Sequence, residues 1–531
     1  MKVLVIAPPY PLEECPAPPL GVAYVAAAFL GAGAEVRVAD YIVNRYTPEK
    51  LKALLDAFEP DVIGANSVTM NFPGAADIVR TAKRYRPSAL TMMGGCHVSF
   101  DIDGTLRTYP EIDLLVIGEG ERTIADLVSC LSGGKDWRQT KGIAFRDNGQ
   151  IVVNEAQEYI EDLDALPFPA RHLLPLSRYQ ALGYPVSIIT GRGCPYSCIF
   201  CVGRRMVGKK PRQRKASFVV DEIEELLAYG FTRINVVDDL FTANHQKVRE
   251  VCEEIRKRNL HFTWTAFARV NSVDAEILKL MQEAGCDCIS FGMETGNPEM
   301  LKRIRKGATL DQARRAAQLC KDAGILAHAS FVVGLPGENW ETLKDTAEFS
   351  ASLDIIYGFH ILAPFPGTTV REEVEKYDLE ILTDDWNCYD ANRAIIRTSE
   401  LAPADIEKFV ADFDGELEEA WQKMMQNYHN GTPTLEETLR VAGHYRTQFV
   451  YKLLSEDILE KNGSFPLKVL ARGPNGSVDP LCRRLRELTG SDAEVVKKAI
   501  DQFVSAGYIK SRQEGENLIW YWTHNIRIDR N

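Results

Sequence analysis

Gly191-Arg192-Gly193-Cys194-Pro195-Tyr196-Ser197-Cys198-Ile199-Phe200-Cys201 packs three of the chain's twelve cysteines into eight residues, spaced C-x3-C-x2-C. The run directly follows a short β-rich segment near 186–190, so the thiols sit on the loop that leaves a strand. Three thiolates on one loop can hold three irons of a 4Fe–4S cluster and leave the fourth open to a small molecule. A structural zinc site takes four ligands, usually in two separated pairs, and no second pair with that spacing exists here.

Outward from this loop, short β-rich runs recur near 186–190, 232–237, 262–267, 287–291, 326–333 and 356–361, with helical stretches between them. Six βα units predict a partial TIM barrel over 186–371, with chemistry at the carboxyl ends of the strands. Upstream lies a second alternating series. Its strands fall at Lys2–Ala7, Glu35–Ala39, Asp61–Ala65, Ala89–Gly94 and Asp113–Ile117, with helices near 20–32, 48–58, 73–85 and 120–132. This predicts an α/β, doubly wound, five-stranded parallel sheet over 1–140, of Rossmann or flavodoxin type, with ligands beyond the strand ends. Residues 141–185 read as a hairpin turning at Asp147-Asn148-Gly149 and a proline-marked linker. Residues 372–464 read as helical. Residues 465–531 read as three short helices and a hairpin at Gly515, the order of a winged helix.

The 531 residues are 45% hydrophobic and 26% charged, with formal net charge −12. That composition predicts packed globular domains, and the acidic balance argues against a general nucleic-acid or anionic-membrane binder. No apolar run approaches the roughly 20 residues of a membrane span. Sparse, unpaired cysteines and a start that reads as a buried strand lead to the expectation of a reducing, cytoplasmic setting. Seven bases, Arg204, Arg205, Lys209, Lys210, Arg212, Arg214 and Lys215, follow the cysteine loop within twelve residues.

The cysteine loop in this setting resembles the radical S-adenosylmethionine (radical SAM) enzymes. The likeness extends over about 186–370 through Val236-Val237-Asp238-Asp239-Leu240-Phe241, Ser290-Phe291-Gly292-Met293-Glu294-Thr295-Gly296, Phe331-Val332-Val333-Gly334-Leu335-Pro336-Gly337 and Pro364-Phe365-Pro366-Gly367-Thr368. It implies that Cys194, Cys198 and Cys201 are the catalytic and metal-ligating residues. It also implies that S-adenosylmethionine meets Phe200, Asp238, Arg269, Glu294, Gly334 and Pro364. Phe200 would pack on the adenine edge, Arg269 pair with the methionyl carboxylate, and Glu294 accept from ribose or ammonium.

Pro8-Pro9-Tyr10, Pro19-Leu20-Gly21, Gly94-Gly95-Cys96-His97 and Gly118-Glu119-Gly120-Glu121, placed ahead of such a barrel, resemble the cobalamin (B12) domain of cobalamin-dependent radical SAM enzymes. That group includes anaerobic magnesium-protoporphyrin cyclases and several methyltransferases. The resemblance implies cobalamin contacts at Pro9, Tyr10, Ser67, Thr69, Gly94, Gly95, His97, Gly118, Glu119 and Gly120. The Asp-x-His-x-x-Gly motif that supplies a histidine below cobalt in many such domains is absent, so cobalamin is expected without a protein histidine lower ligand.

The function expected from this likeness is hydrogen abstraction by a 5′-deoxyadenosyl radical, followed by methyl transfer from methylcobalamin to an unactivated carbon. A cyclase or ring-rearranging oxidoreductase is the alternative. An iron–sulfur redox regulator using the winged helix is a third, against which the weak basicity of 465–531 speaks. The partners implied are a small-molecule or peptide substrate and an external one-electron donor such as flavodoxin or ferredoxin.

Overall fold

The computed structural model describes residues 1–11, 16–469 and 477–526. Its first sheet contains β1 (Lys2–Ala7), β2 (Glu35–Asp40), β3 (Val62–Asn66), β4 (Leu90–Gly94), β5 (Leu114–Val116), β6 (Ile143–Asp147) and β7 (Gln150–Val153), in the order β2-β1-β3-β4-β5-β6-β7. The first five run parallel, as β1 against β2 and β3 shows. Val3–Ala7 is almost wholly buried, because helices cover both faces of a parallel sheet. The expected five-stranded sheet therefore has seven strands. The hairpin read as a separate element pairs antiparallel with β5 and continues the sheet. β5 is only three residues long, and an open edge there would leave its amides unpaired.

The second sheet contains β8 (Val186–Ile188), β11 (Arg233–Val236), β12 (Thr263–Ala268), β13 (Cys286–Glu294), β14 (Leu326–Val333) and β15 (Ile356–Ile361). All six are parallel and lie in chain order, and β8 and β15 remain unpaired with each other. This is an open partial barrel. Between its first two strands, β9 (Gly191–Arg192) and β10 (Arg212–Gln213) form a small antiparallel ribbon that closes the cysteine loop. The outward side chains, such as Trp264, Ala266, Ile289, Phe291 and Ala329, pack under the surrounding helices.

Helix Leu20–Gly31 joins the two units. Val22, Ala26 and Ala27 belong to the first sheet's core, whereas Ala23 belongs to the barrel's. Its alanines let both sheets approach closely, so the helix is buried on almost every side.

Beyond the barrel, helices Pro403–His429 and Leu435–Ser455 lead into the last module. This module has helices Val478–Thr489 and Ala493–Ser505 and a three-stranded sheet of Ser464–Pro466, Asn517–Trp522 and Ile509–Glu514. Among the described residues, two regular helices follow residue 465 rather than three. The first helix of the winged-helix order precedes that boundary, and 470–476 lie outside the described residues. The module packs inward: Phe449, Phe503, Trp520 and Trp522 share a core with Tyr179 and Leu182 of the linker and Val43 of the first domain. On the helix that would read DNA, Lys497 and Lys498 are drawn toward Asp479, Asp501 and Glu494. Among the described residues, no helix is long and apolar enough to cross a membrane.

Candidate functional site: the cysteine loop and the cavity beneath it

Packing pins the cysteine loop from several sides. Thr190, just after β8, donates its N–H and its hydroxyl to Asp238, each at 2.6 Å. Gly193 takes φ +101° and donates to Asp239 at 3.0 Å; a Cβ there would lie 2.5 Å from the Lys210 carbonyl. That position therefore needs glycine. Cys194 N–H donates to Gly208 O, and Ile199, fully buried, bonds through its backbone to Ile304 and Val370.

Cys194 and Cys201 lie in the electrostatic field of the other loop cysteines. Burial pushes the Cys194 thiol up. Gly203 N–H points at Cys201 Sγ (3.4 Å) and Arg269 Nη1 at Cys198 Sγ (3.5 Å). Among the described residues no group of three His, Cys, Asp or Glu could hold a metal ion. The three thiols on one loop instead suit a cube gripped at three corners.

The strand-end residues divide. Arg269 comes to the loop: it is buried, with its guanidinium 3.6 Å above the Tyr196 ring centroid, and it donates to Lys306 O. Lys306 pairs in turn with Glu294 at 2.6 Å, both buried. Glu294 sits at φ +70° where the β13–β14 register slips, which turns its carboxylate toward Lys306. Phe200 packs, half-buried, against the core around Val333 and Leu335.

Asp238, expected at the ligand, faces Thr190 instead, and burial raises its carboxyl to about 7. The neighbouring Asp239 faces the cavity. Gly334 bends at φ +86° against Ile396 and donates to Glu338, a carboxyl that burial raises to about 8. Pro364 is buried and its carbonyl accepts from Arg371. Tyr196, Lys306 and Asp239 were not singled out from the sequence. Only Asp239 had a local signal, the change of face expected one residue beyond Asp238.

A cavity of about 620 Å³ runs between the carboxyl ends of the first sheet and this loop. On one side stand Ser67, Gly94, Gly95, Gly118, Glu119 and Gly120; on the other stand Gly191, Arg192, Cys201, Gly203, Met206 and Asp239. Gly95 takes φ +111°, and a side chain there would strike the Ser67 carbonyl, so the wall must be bare backbone. Two hydroxyls on the cavity wall, Tyr24 Oη and Ser67 Oγ, are buried and have no hydrogen-bond partner among the described residues. Buried polar atoms are normally satisfied, so orphans in a cavity wall point to a polar ligand.

The other expected contacts lie off the cavity. Pro9, Tyr10, Thr69 and His97 are not on its wall. The His97 ring is buried, stacked 3.8 Å from Phe72, with Nδ1 3.2 Å from the Thr69 hydroxyl. No histidine is among the described residues lining the cavity.

Comparison with known proteins matches these two halves to two families. Residues 14–128 match the B12 binding domain and residues 188–350 the radical SAM superfamily. An uncharacterised methyltransferase of Pyrococcus horikoshii is 32% identical over 418 residues, covering 77% of this chain and 91% of that protein. This chain belongs to the cobalamin-dependent radical SAM enzymes.

The anaerobic magnesium-protoporphyrin IX monomethyl ester cyclase of Rubrivivax gelatinosus is 31% identical, over 68% of each chain. The family thus spans methyltransferases and a cyclase. In fold, the cobalamin-dependent S-adenosylmethionine radical enzyme OxsB with aqua-cobalamin bound superposes with a TM-score of 0.68 at 18% identity, over 95% of this chain and 84% of that one. The methyltransferase TsrM of Kitasatospora setae superposes at 0.65 with 22% identity, over 77% and 84%.

The family's cofactors are a 4Fe–4S cluster, S-adenosylmethionine and cobalamin, and the residues here suit them. Three loop thiols suit the cluster, and a glycine-walled cavity with two orphan hydroxyls suits a large polar ligand. A buried ion network locks the two halves together. Arg212 holds Glu119 with two bonds, 2.7 and 2.9 Å, while Arg192 reaches Glu119 at 3.3 Å and Glu121 at 2.5 Å. Burial works to raise Glu119, but the Arg212 bonds, the Ile160 N–H and Arg192 hold its carboxyl below the ordinary range. Glu119 therefore belongs to the cavity wall and to the interface at once.

Proposed function

We propose that the chain methylates an unactivated carbon of a small-molecule or peptide substrate. The observation that supports this is the single cavity bounded both by Cys201 and by the glycine wall of the first sheet, so that cobalamin and the cluster would face a common space. When bound, the cluster and S-adenosylmethionine supply a 5′-deoxyadenosyl radical, and cobalamin supplies a methyl group that a second S-adenosylmethionine restores.

The chain's own residues hold and orient these groups. Cys194, Cys198 and Cys201 would hold three irons. Arg269, beside Cys198, offers a guanidinium fork to the methionyl carboxylate, and of the Glu294–Lys306 pair the carboxylate would accept from ribose or ammonium while Lys306 would donate to a ribose oxygen. Phe200, half-buried at the edge of the core, would pack against adenine. Gly94, Gly95, Gly118 and Gly120 admit cobalamin against bare backbone, with Tyr24 and Ser67 as hydrogen-bonding partners. His97 is committed to Phe72 and Thr69, so cobalt would have no histidine below it. An external low-potential donor such as flavodoxin or ferredoxin, in a reducing cytoplasm, would supply the electron.

The cyclase relative favours a second reading, ring closure without net methylation. Product mass separates the two, since methylation adds one CH2 and consumes a second S-adenosylmethionine. The first test is Cys198→Ala after anaerobic reconstitution. Both the cluster absorbance and 5′-deoxyadenosine formation should vanish, and survival of both would overturn the proposal.

A further inference from the structure

Helix Gly203–Val207 starts two residues after Cys201, and its two faces differ. Gly203, Met206 and Val207 line the cavity, whereas Arg204 and Arg205 point to solvent. Lys209, Lys210 and Lys215 extend the exposed basic face. The segment folds back onto the cysteine loop, since Gly208 O accepts from Cys194 N–H. Cys201, the exposed member of the three, receives the Gly203 N–H. A basic, exposed face thus begins three residues after the loop's exposed cysteine.

Not all of this charge is neutralised. Arg205 pairs with Glu372, Lys210 with Glu161 and Lys215 with Asp164. Among the described residues, no carboxylate pairs with Arg204 or Lys209. Neither lines the cavity, so neither reaches a substrate held inside it. The chain as a whole is acidic, with net charge −12. An acidic macromolecule is therefore repelled over most of the surface and attracted here.

We infer that the basic face of residues 204–215, led by Arg204 and Lys209, docks an acidic one-electron carrier protein and feeds its electron in at Cys201. The inference rests on the proposed radical chemistry. One electron leaves the reduced carrier, which is oxidised by one equivalent. It ends in the C5′–S bond of S-adenosylmethionine, which breaks to methionine and the 5′-deoxyadenosyl radical. Two exposed bases, without a carboxylate partner among the described residues, set the association rate and its salt dependence more than they set tight affinity, so the complex is short-lived and weakens as salt rises.

The test uses the full chain with an acidic flavodoxin and an acidic ferredoxin as probes. It compares wild type, Arg204→Glu/Lys209→Glu, and the control Lys279→Glu/Lys344→Glu on the barrel's outer helices. Calorimetric binding of either carrier, measured also on cluster-free protein, should weaken about tenfold in the first variant and lose its salt dependence. The control should match wild type. S-adenosylmethionine cleavage driven by dithionite should be unchanged, while carrier-driven cleavage falls with binding. Equal binding by wild type and Arg204→Glu/Lys209→Glu overturns the docking site. Equal loss of dithionite-driven and carrier-driven cleavage also overturns it, because the patch would then serve the reaction chamber. Absence of dithionite-driven cleavage in the wild type would instead sink the proposed function and leave the binding result readable.

Discussion

Arg212→Met tests how the two halves of the site are joined. The Arg212 side chain is 3% exposed and that of Glu119 4%. Its guanidinium donates to both Glu119 oxygens and also to Ile160 O at 2.6 Å and Val207 O at 2.7 Å. Methionine keeps the stem and removes every donor. Glu119 then retains only the Ile160 N–H at 3.0 Å and Arg192 at 3.3 Å.

Breaking a buried ion pair from one side costs about 3–5 kcal/mol, because the survivor stays desolvated. Arg192 still neutralises part of the charge, so the lower end, about 3 kcal/mol, is expected. Glu119→Gln leaves Arg212 its two carbonyl acceptors and should cost about 2 kcal/mol. The double variant removes both charges and should fall short of the sum by about 1–2 kcal/mol. Urea unfolding of the full chain at neutral pH, followed by circular dichroism, gives the three energies. Hydrogen exchange should show faster opening of residues 191–213 in Arg212→Met. A cost below about 1 kcal/mol for Arg212→Met, or single costs that add within about 0.5 kcal/mol, would refute the interface argument.

Tyr24→Phe removes a buried hydroxyl that has no partner among the described residues. Ligand-free protein should therefore keep or gain stability, by about 1 kcal/mol, while corrinoid absorbance retained after desalting drops. Unchanged retention would show that the hydroxyl does not meet the ligand. Asp238→Asn addresses pH. Burial lifts this carboxyl to about 7 from about 3.9 in an unfolded chain. The folded protein thus holds an extra proton between those values, and the stability this contributes is present below about pH 4 and lost as pH rises through about 7, at up to about 1.4 kcal/mol per pH unit. Relative to wild type, Asp238→Asn should gain in thermal midpoint from acidic to mildly alkaline pH. A constant difference would place the titration elsewhere.

Much of the architecture is legible in local pattern. Strands alternate or run apolar, helices repeat near 3.6 residues, and Cys194, Cys198 and Cys201 keep their spacing wherever the loop is placed. Less legible is which way a side chain turns at a strand end. Asp238 and Asp239 are adjacent, yet one locks Thr190 and the other faces the cavity. A register slip in β13 aims Glu294 at Lys306 twelve residues later. His97 looked like a cavity residue beside Gly94 and Gly95, but Phe72 and Thr69 hold its ring in the core.

What the amino-acid order settled alone was the two alternating series, the loop of three thiols, the basic run after it and the lack of a lower-ligand motif. Each is encoded within a few consecutive residues. Tertiary structure alone decided that the hairpin completes the first sheet, that Glu119 and Arg212 meet across 93 positions, and that Tyr24 and Cys201 border one cavity. Those outcomes depend on which distant surfaces bury each other, and no local periodicity records that.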